Sequence, residues 1–145
     1  MRRLKQKRAN CPPRPQMRCA IYTRTATTQR PDEQDSRLAA QREAAEAFIA
    51  KQQQRGWLCL PNRYDDDGQS GVSLDRPGLQ RLLADIRAGK IDYLVIYRFD
   101  RLTRSLSDPA TLLAVFQKHG TTLVSATEDL SRYPVLGLKQ VEVTA

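Results

Sequence analysis

The amino-acid sequence predicts an α/β fold, a mainly parallel sheet with helices on both faces. Three features carry that expectation. Short apolar runs alternate with longer amphipathic stretches. Gly and Pro punctuate the ends of those stretches. One run, "DYLVIYRF", is apolar almost without interruption, as the buried centre of a parallel sheet requires.

In chain order, "MRCAIYTR" (Met17–Arg24) is the first strand, short and alternating. "SRLAAQREAAEAFIAKQQQRG" is the first helix, with Ser36 as its N-cap and Gly56 as its stop. "WLCLPNRYD" reads as a second strand in which Pro61 demands an edge position or an early break. "DRPGLQRLLADIRAG" is a helix that starts near Pro77 and stops at Gly89, with Leu79, Leu82, Leu83 and Ile86 as its apolar stripe. "DYLVIYRF" is the central strand. "SDPATLLAVFQKHG" is a further helix, capped by Asp108, with Pro109 at its first position and Gly120 at its end. "TTLVSAT" is the last strand, and "EDLSRYPVLGLKQVEVTA" has no strong period.

A length of 145 residues suits one domain, and 40% hydrophobic with 28% charged residues is ordinary for a globular protein. No apolar run approaches the roughly 20 residues that span a bilayer. The basic N-terminus lacks the apolar core of a secretory signal and the Ser-rich pattern of a transit peptide. Three cysteines (Cys11, Cys19 and Cys59) without C-x-x-C spacing, and one histidine, argue against a zinc site or a disulfide framework. A reducing cytoplasm is the expected setting.

Charge is uneven. Nine of the 24 basic residues and none of the 16 acids lie in residues 1–30, so the rest of the chain is nearly neutral. Such a patch suits nucleic acid, although residues 1–16 also read as a basic disordered extension, with Met17 as an alternative start.

In a parallel sheet, ligands gather at the carboxyl ends of the strands. Those ends carry Tyr22, Thr23, Arg24, Thr25 and Ala26 after the first strand. Asp65, Asp66, Asp67, Gly68, Gln69, Ser70 and Gly71 follow the second, and Arg98 to Arg104 follow the third. Arginine forks suit the non-bridging oxygens of a phosphate, and carboxylates beside them can orient a guanidinium or carry a proton. "DDDG" or "DRLTR" on its own would read as a hydrated turn or a charged loop.

Together these residues resemble the catalytic domain of the serine site-specific recombinases, the resolvase/invertase family, particularly its large serine integrase branch. The matching text is "YTRTAT", "LAAQREAAEAFI", "YDDDGQSG", "LDRPGLQRLLADIRAGKIDYLVIYRFDRLTRS" and "ATEDLSRYPVLG", covering roughly Arg18 to Gly137. The resemblance implies a resolvase-like catalytic domain over residues 17–137. It implies Arg24 and Arg101 as ligands of the scissile phosphate, with Arg104 and Arg76 helping to hold it. Asp100 and Asp66 would organise those arginines and share in proton traffic, while Tyr22 and Gln41 would line the site. Family members cleave paired DNA duplexes through a serine ester to the 5′ phosphate, exchange strands as dimers and tetramers, and need no metal or other cofactor.

Residue 26 departs from that pattern. It occupies the family's serine position and shares a strand face with Tyr22 and Arg24, yet it is Ala26, which has no nucleophile. Thr25 is expected to face the other way, and Thr27 and Ser36 stand further along the loop. A cleavage-deficient copy is therefore expected. The resemblance also implies a long dimerising helix and a DNA-binding domain after Gly137, whereas the sequence reads "LKQVEVTA", so residues 138–145 are expected to be a divergent or truncated tail.

Two rival readings use the same residues. A metal-dependent nuclease would gather Mg²⁺ on Asp66, Asp67 and Asp100. A non-catalytic module would bind DNA or a full-length relative without cutting. "DDDG" does not match a calcium loop, since Arg63 stands at the first ligand position. His119, at a helix C-terminus, reads as a dipole partner or surface residue rather than a base.

Overall fold

The first strand forms over a short run whose residues from Cys19 to Arg24 are all buried. In the computed structural model, which describes residues 16–25, 38–66, 76–102, 108–132, 141 and 143, β1 runs over Met17–Arg24 and is the hub of the sheet. Helix α1 (Leu38–Lys51) follows, then a 3₁₀ turn (Gln53–Arg55) that ends at Gly56, whose φ of 88° is left-handed. The α-helix thus closes before the glycine and tightens into the turn, whereas the sequence pattern suggested one helix up to Gly56.

The second predicted strand is broken at its proline. β2 (Trp57–Cys59) pairs with the first half of β1, and β3 (Tyr64–Asp66) pairs with its second half, both parallel. Pro61 has no N–H to continue the ladder, so the edge strand interrupts and resumes. On its other side β1 pairs in parallel with β4 (Tyr93–Ile96), and β4 pairs with β5 (Thr122–Ser125). The order is β2-β1-β4-β5, with β3 extending the line of β2 along β1.

Between the strands lie α2 (Pro77–Arg87), a single-turn helix α3 (Phe99–Leu102) directly after β4, and α4 (Asp108–Lys118). The sequence pattern ran the central strand to Phe99 and read residues 100–104 as a loop; the strand instead ends at Ile96, and Phe99–Leu102 coil into α3. A 3₁₀ turn (Leu130–Arg132) follows β5.

Strand alternation divides the core into two layers. Cys19, Ile21, Trp57, Val95 and Val124 face α1 through Ala45 and Ile49. Ala20, Tyr22, Leu94, Ile96 and Leu123 face the opposite way, against Leu79, Leu82, Leu83 and Ile86 of α2 and Leu112 and Phe116 of α4. The four stripe residues of α2 are all buried, each contributing about 1.5–3 kcal/mol of transfer free energy. Trp57 lies against the ring of Tyr93 at 4.2 Å and 17°, with Phe48 edge-on at 5.9 Å.

This topology decides where a site can form. From β1 the chain goes first to β2 and β3 on one side, then crosses through α2 to β4 on the other. The order therefore reverses between β1 and β4, which opens a crevice at their carboxyl ends. No helix among the described residues is long and apolar enough to cross a membrane.

Candidate functional site

Asp66, the last residue of β3, is buried and points at the start of α2. Its carboxylate accepts the N–H of Gly78 at 2.6 Å and of Leu79 at 2.9 Å. Those amides have no intrahelical partner, and an anion at that end also complements the helix dipole. The residue before the helix, Arg76, is extended and supplies no side-chain cap. The cap comes from the neighbouring strand instead.

The same carboxylate accepts the Tyr22 hydroxyl at 2.7 Å, and Arg76 Nη1 donates to that hydroxyl oxygen at 2.9 Å. The Arg76 guanidinium also stands 5.6 Å from the centroid of the Tyr22 ring. Burial, above all, drives the Tyr22 phenol far above its ordinary value; nearby Arg76 opposes this and the bond to Asp66 adds to it. Tyr22 is therefore a neutral hydroxyl that links a carboxylate to a guanidinium, and it does not serve as a proton source near neutral pH.

Arg24 ends β1 on the same face as Tyr22 and is fully buried. Its Nε donates to the carbonyl of Arg101 at 3.0 Å and its Nη2 to that of Asp100 at 2.7 Å. Arg76 Nη2 reaches the next carbonyl, Leu102, at 2.6 Å. The carbonyls of Asp100, Arg101 and Leu102 on α3 are thus held by two guanidiniums.

Gln41 of α1 completes the end of β1. Its Oε1 accepts the Arg24 N–H at 3.1 Å and its Nε2 donates to the Arg24 carbonyl at 2.8 Å. Thr25 N–H turns to the β3 side, to Asp66 O at 3.0 Å, so the backbone groups of Arg24 face the side where β4 has already ended. The side chain of Gln41 pairs them as a strand would.

Helix α3 carries Asp100 and Arg101. Arg101 is buried, with Nε 3.8 Å from Asp100 Oδ1, and Arg98 Nε lies 4.0 Å from the same oxygen. That oxygen is buried and has no hydrogen-bond partner among the described residues. At its other end α3 is held by the turn after β5. Glu128 accepts the N–H of Phe99 at 2.9 Å, and Ser125 and Thr127 donate to the Tyr97 carbonyl at 2.9 and 2.6 Å.

The structure thus brings Tyr22, Arg24, Gln41, Asp66, Arg76, Asp100 and Arg101 to one edge, at the β1–β4 crevice. Ala26, Asp67 and Arg104, along with Thr27, Ser36 and residues 1–15, lie outside the described residues. Among the described residues no three acidic, histidine or cysteine side chains gather as metal ligands would. Asp66, a ligand in the nuclease reading, already receives three donors. Glu128, Ser125 and Thr127 were not singled out from sequence. The signal for them was present, since "SATE" stands at a carboxyl strand end like the other three clusters. Among the described residues brought together here, three guanidiniums (Arg24, Arg76 and Arg101) stand with two carboxylates (Asp66 and Asp100), a balance that suits an anion such as a phosphate.

Known proteins resemble this chain in sequence and in fold. The family model described as "Resolvase, N terminal domain" matches residues 19–137. A putative DNA recombinase of Bacillus subtilis (strain 168) is 30% identical over 115 residues, covering 79% of this chain and 21% of that protein. The serine recombinase gin of Escherichia phage Mu is 33% identical over 72 residues, covering 50% of this chain and 36% of that protein. The chain therefore spans well under half the length of these relatives. Among solved structures, the N-terminal catalytic domain of TP901-1 integrase superposes with a TM-score of 0.63 at 34% identity, covering 75% of this chain and 77% of that one. A resolvase family site-specific recombinase from Streptococcus pneumoniae shares the fold, with a TM-score of 0.62 at 23% identity and 84% coverage of both chains. The chain belongs to the resolvase N-terminal domain family, the catalytic domain of the site-specific serine recombinases.

Proposed function

We propose that this chain engages double-stranded DNA as a recombinase catalytic domain, holds a backbone phosphate at the β1–β4 crevice, and does not itself cut. The observation that carries this reading is the convergence of Arg24, Arg76 and Arg101 with Asp66 and Asp100 at one sheet edge, with Arg24 two residues along the chain from Ala26.

Transesterification by a serine forms an Oγ–P bond and breaks the bond from phosphorus to the 3′ oxygen, which leaves with a proton. The positive edge can stabilise the charge that develops on the phosphoryl oxygens. Alanine supplies no oxygen for the new bond. Loss of the nucleophile from a comparable constellation lowers turnover on the order of a millionfold. DNA is the macromolecular partner in this reading, and a second copy of the chain is the natural protein partner, as in the relatives that exchange strands.

The test uses labelled recombination-site DNA on a denaturing gel. The chain is lengthened after Gly137 with the dimer helix and DNA-binding domain of a relative. With Ala26 retained it should bind without forming a covalent adduct, and with Ala26→Ser it should form one. An adduct from the Ala26 chain would mean that Thr25, Thr27 or Ser36 attacks, and the reading would fall.

A further inference from the structure

We propose that α3 is a gate, its C-terminal carbonyls occupying the guanidiniums of Arg24 and Arg76 until a DNA phosphate displaces them. The proposal rests on the phosphate reading above and adds how the site opens.

Arg24 gives two of its five N–H groups to the carbonyls of Arg101 and Asp100, and Arg76 gives one to that of Leu102. Both side chains are buried, with 0% and 1% exposure. A phosphate presents the same kind of acceptor with a full charge, and two of its oxygens match an arginine fork. Carbonyls and phosphate therefore compete for the same N–H groups. The carbonyls are local and always present, so they hold the arginines in the free protein. Phosphate is the stronger acceptor, so it wins when a duplex holds it at the crevice.

Displacement has a consequence for the rest of the site. Asp100 and Arg101 ride on α3 itself. When the C-terminal carbonyls let go, α3 pivots about the end fixed by Glu128 on Phe99 N–H and by Ser125 and Thr127 on the Tyr97 carbonyl. The phosphate contact of Arg24 and the repositioning of Asp100 and Arg101 are one event. Leu102, fully buried in the α2–α4 layer, resists the pivot and keeps the gate closed without DNA.

Hydrogen exchange of the full 145-residue chain, read by mass spectrometry, tests this alongside anisotropy of a labelled duplex at low salt. In the unmodified chain, bound duplex should speed exchange in the α3 amides by about tenfold or more while β1 and β4 stay protected. In the free protein, Arg24→Lys and Arg76→Lys, which keep the charge but lose the fork, should each speed α3 exchange in the same way. A bound duplex that leaves α3 exchange unchanged or slower overturns the gate and leaves DNA binding standing. Folded lysine variants with unchanged α3 exchange also overturn it. No anisotropy change at any protein concentration removes the DNA reading, and with it the gate's ligand.

Discussion

The carboxylate of Asp66 lies so close to Gly78 that a side chain there has no room. A Cβ built on Gly78 would stand 2.9 Å from the carboxyl carbon and both oxygens of Asp66. The close approach lets Asp66 take the two N–H groups at the start of α2 while it also receives the Tyr22 hydroxyl. Gly78→Ala should therefore cost about 1–3 kcal/mol through overpacking, seen as a lower urea midpoint. An unchanged midpoint would mean that Asp66 does not cap α2 in solution.

Tyr22→Phe removes the hydroxyl between Asp66 and Arg76 and leaves Arg76 Nη1 without this acceptor. The expected loss is about 1–3 kcal/mol, the cost of stranding buried polar groups, measured by chemical unfolding. A variant as stable as the parent would show that water replaces the hydroxyl freely.

The thiol of Cys19 should be inert while the chain is folded. Burial raises its pKa to about 12, and Cys59, its register partner on β2, is also raised by burial. A raised pKa keeps the thiol protonated throughout the neutral range, so little thiolate exists to react. Iodoacetamide at pH 8 followed by peptide mapping should label Cys19 only as fast as the chain unfolds. Labelling at the rate of the urea-unfolded chain would contradict the burial.

Acid should weaken the join between β1 and β4. Asp92 accepts the backbone N–H and the Nε of Arg18 at 2.7 and 3.0 Å, and these bonds to Arg18 hold its pKa below the ordinary 3.8. A lowered carboxylate pKa contributes stability that is complete above the unfolded value and disappears as pH falls through the folded one. Asp92→Asn should thus destabilise the chain at pH 7 and differ less from the parent below the ordinary carboxylate value. A difference that stays constant with pH would assign the loss to packing instead.

Much of this was legible in the residues. Alternation in "MRCAIYTR" and continuous apolarity in "DYLVIYRF" identify β1 and β4, because buried parallel strands leave few polar choices. Pro61 announced the break between β2 and β3 for want of an N–H. The site was legible as a set of strand ends but not as a network. That Arg24 turns its fork to the carbonyls of α3, and that Gln41 pairs the backbone of Arg24, depend on partners 77 and 17 residues away. Local pattern carries no record of such separations. Helix α3 was missed for the same reason, since a single turn has too few residues for a period and is held by Glu128 from the turn after β5.

The most direct measurement is a backbone amide NMR titration of the chain with duplex DNA at low salt, since it shows which edge of the sheet meets the phosphates. The expected result is that shifts concentrate at Thr25, Gln41, Asp66, Arg101 and Leu102, at the carboxyl ends of β1, β3 and β4, and fade as salt releases the bound duplex. Shifts confined to Arg18, Lys90, Asp92 and Lys118, at the opposite edge, with the carboxyl ends unmoved, would contradict a phosphate site in the β1–β4 crevice.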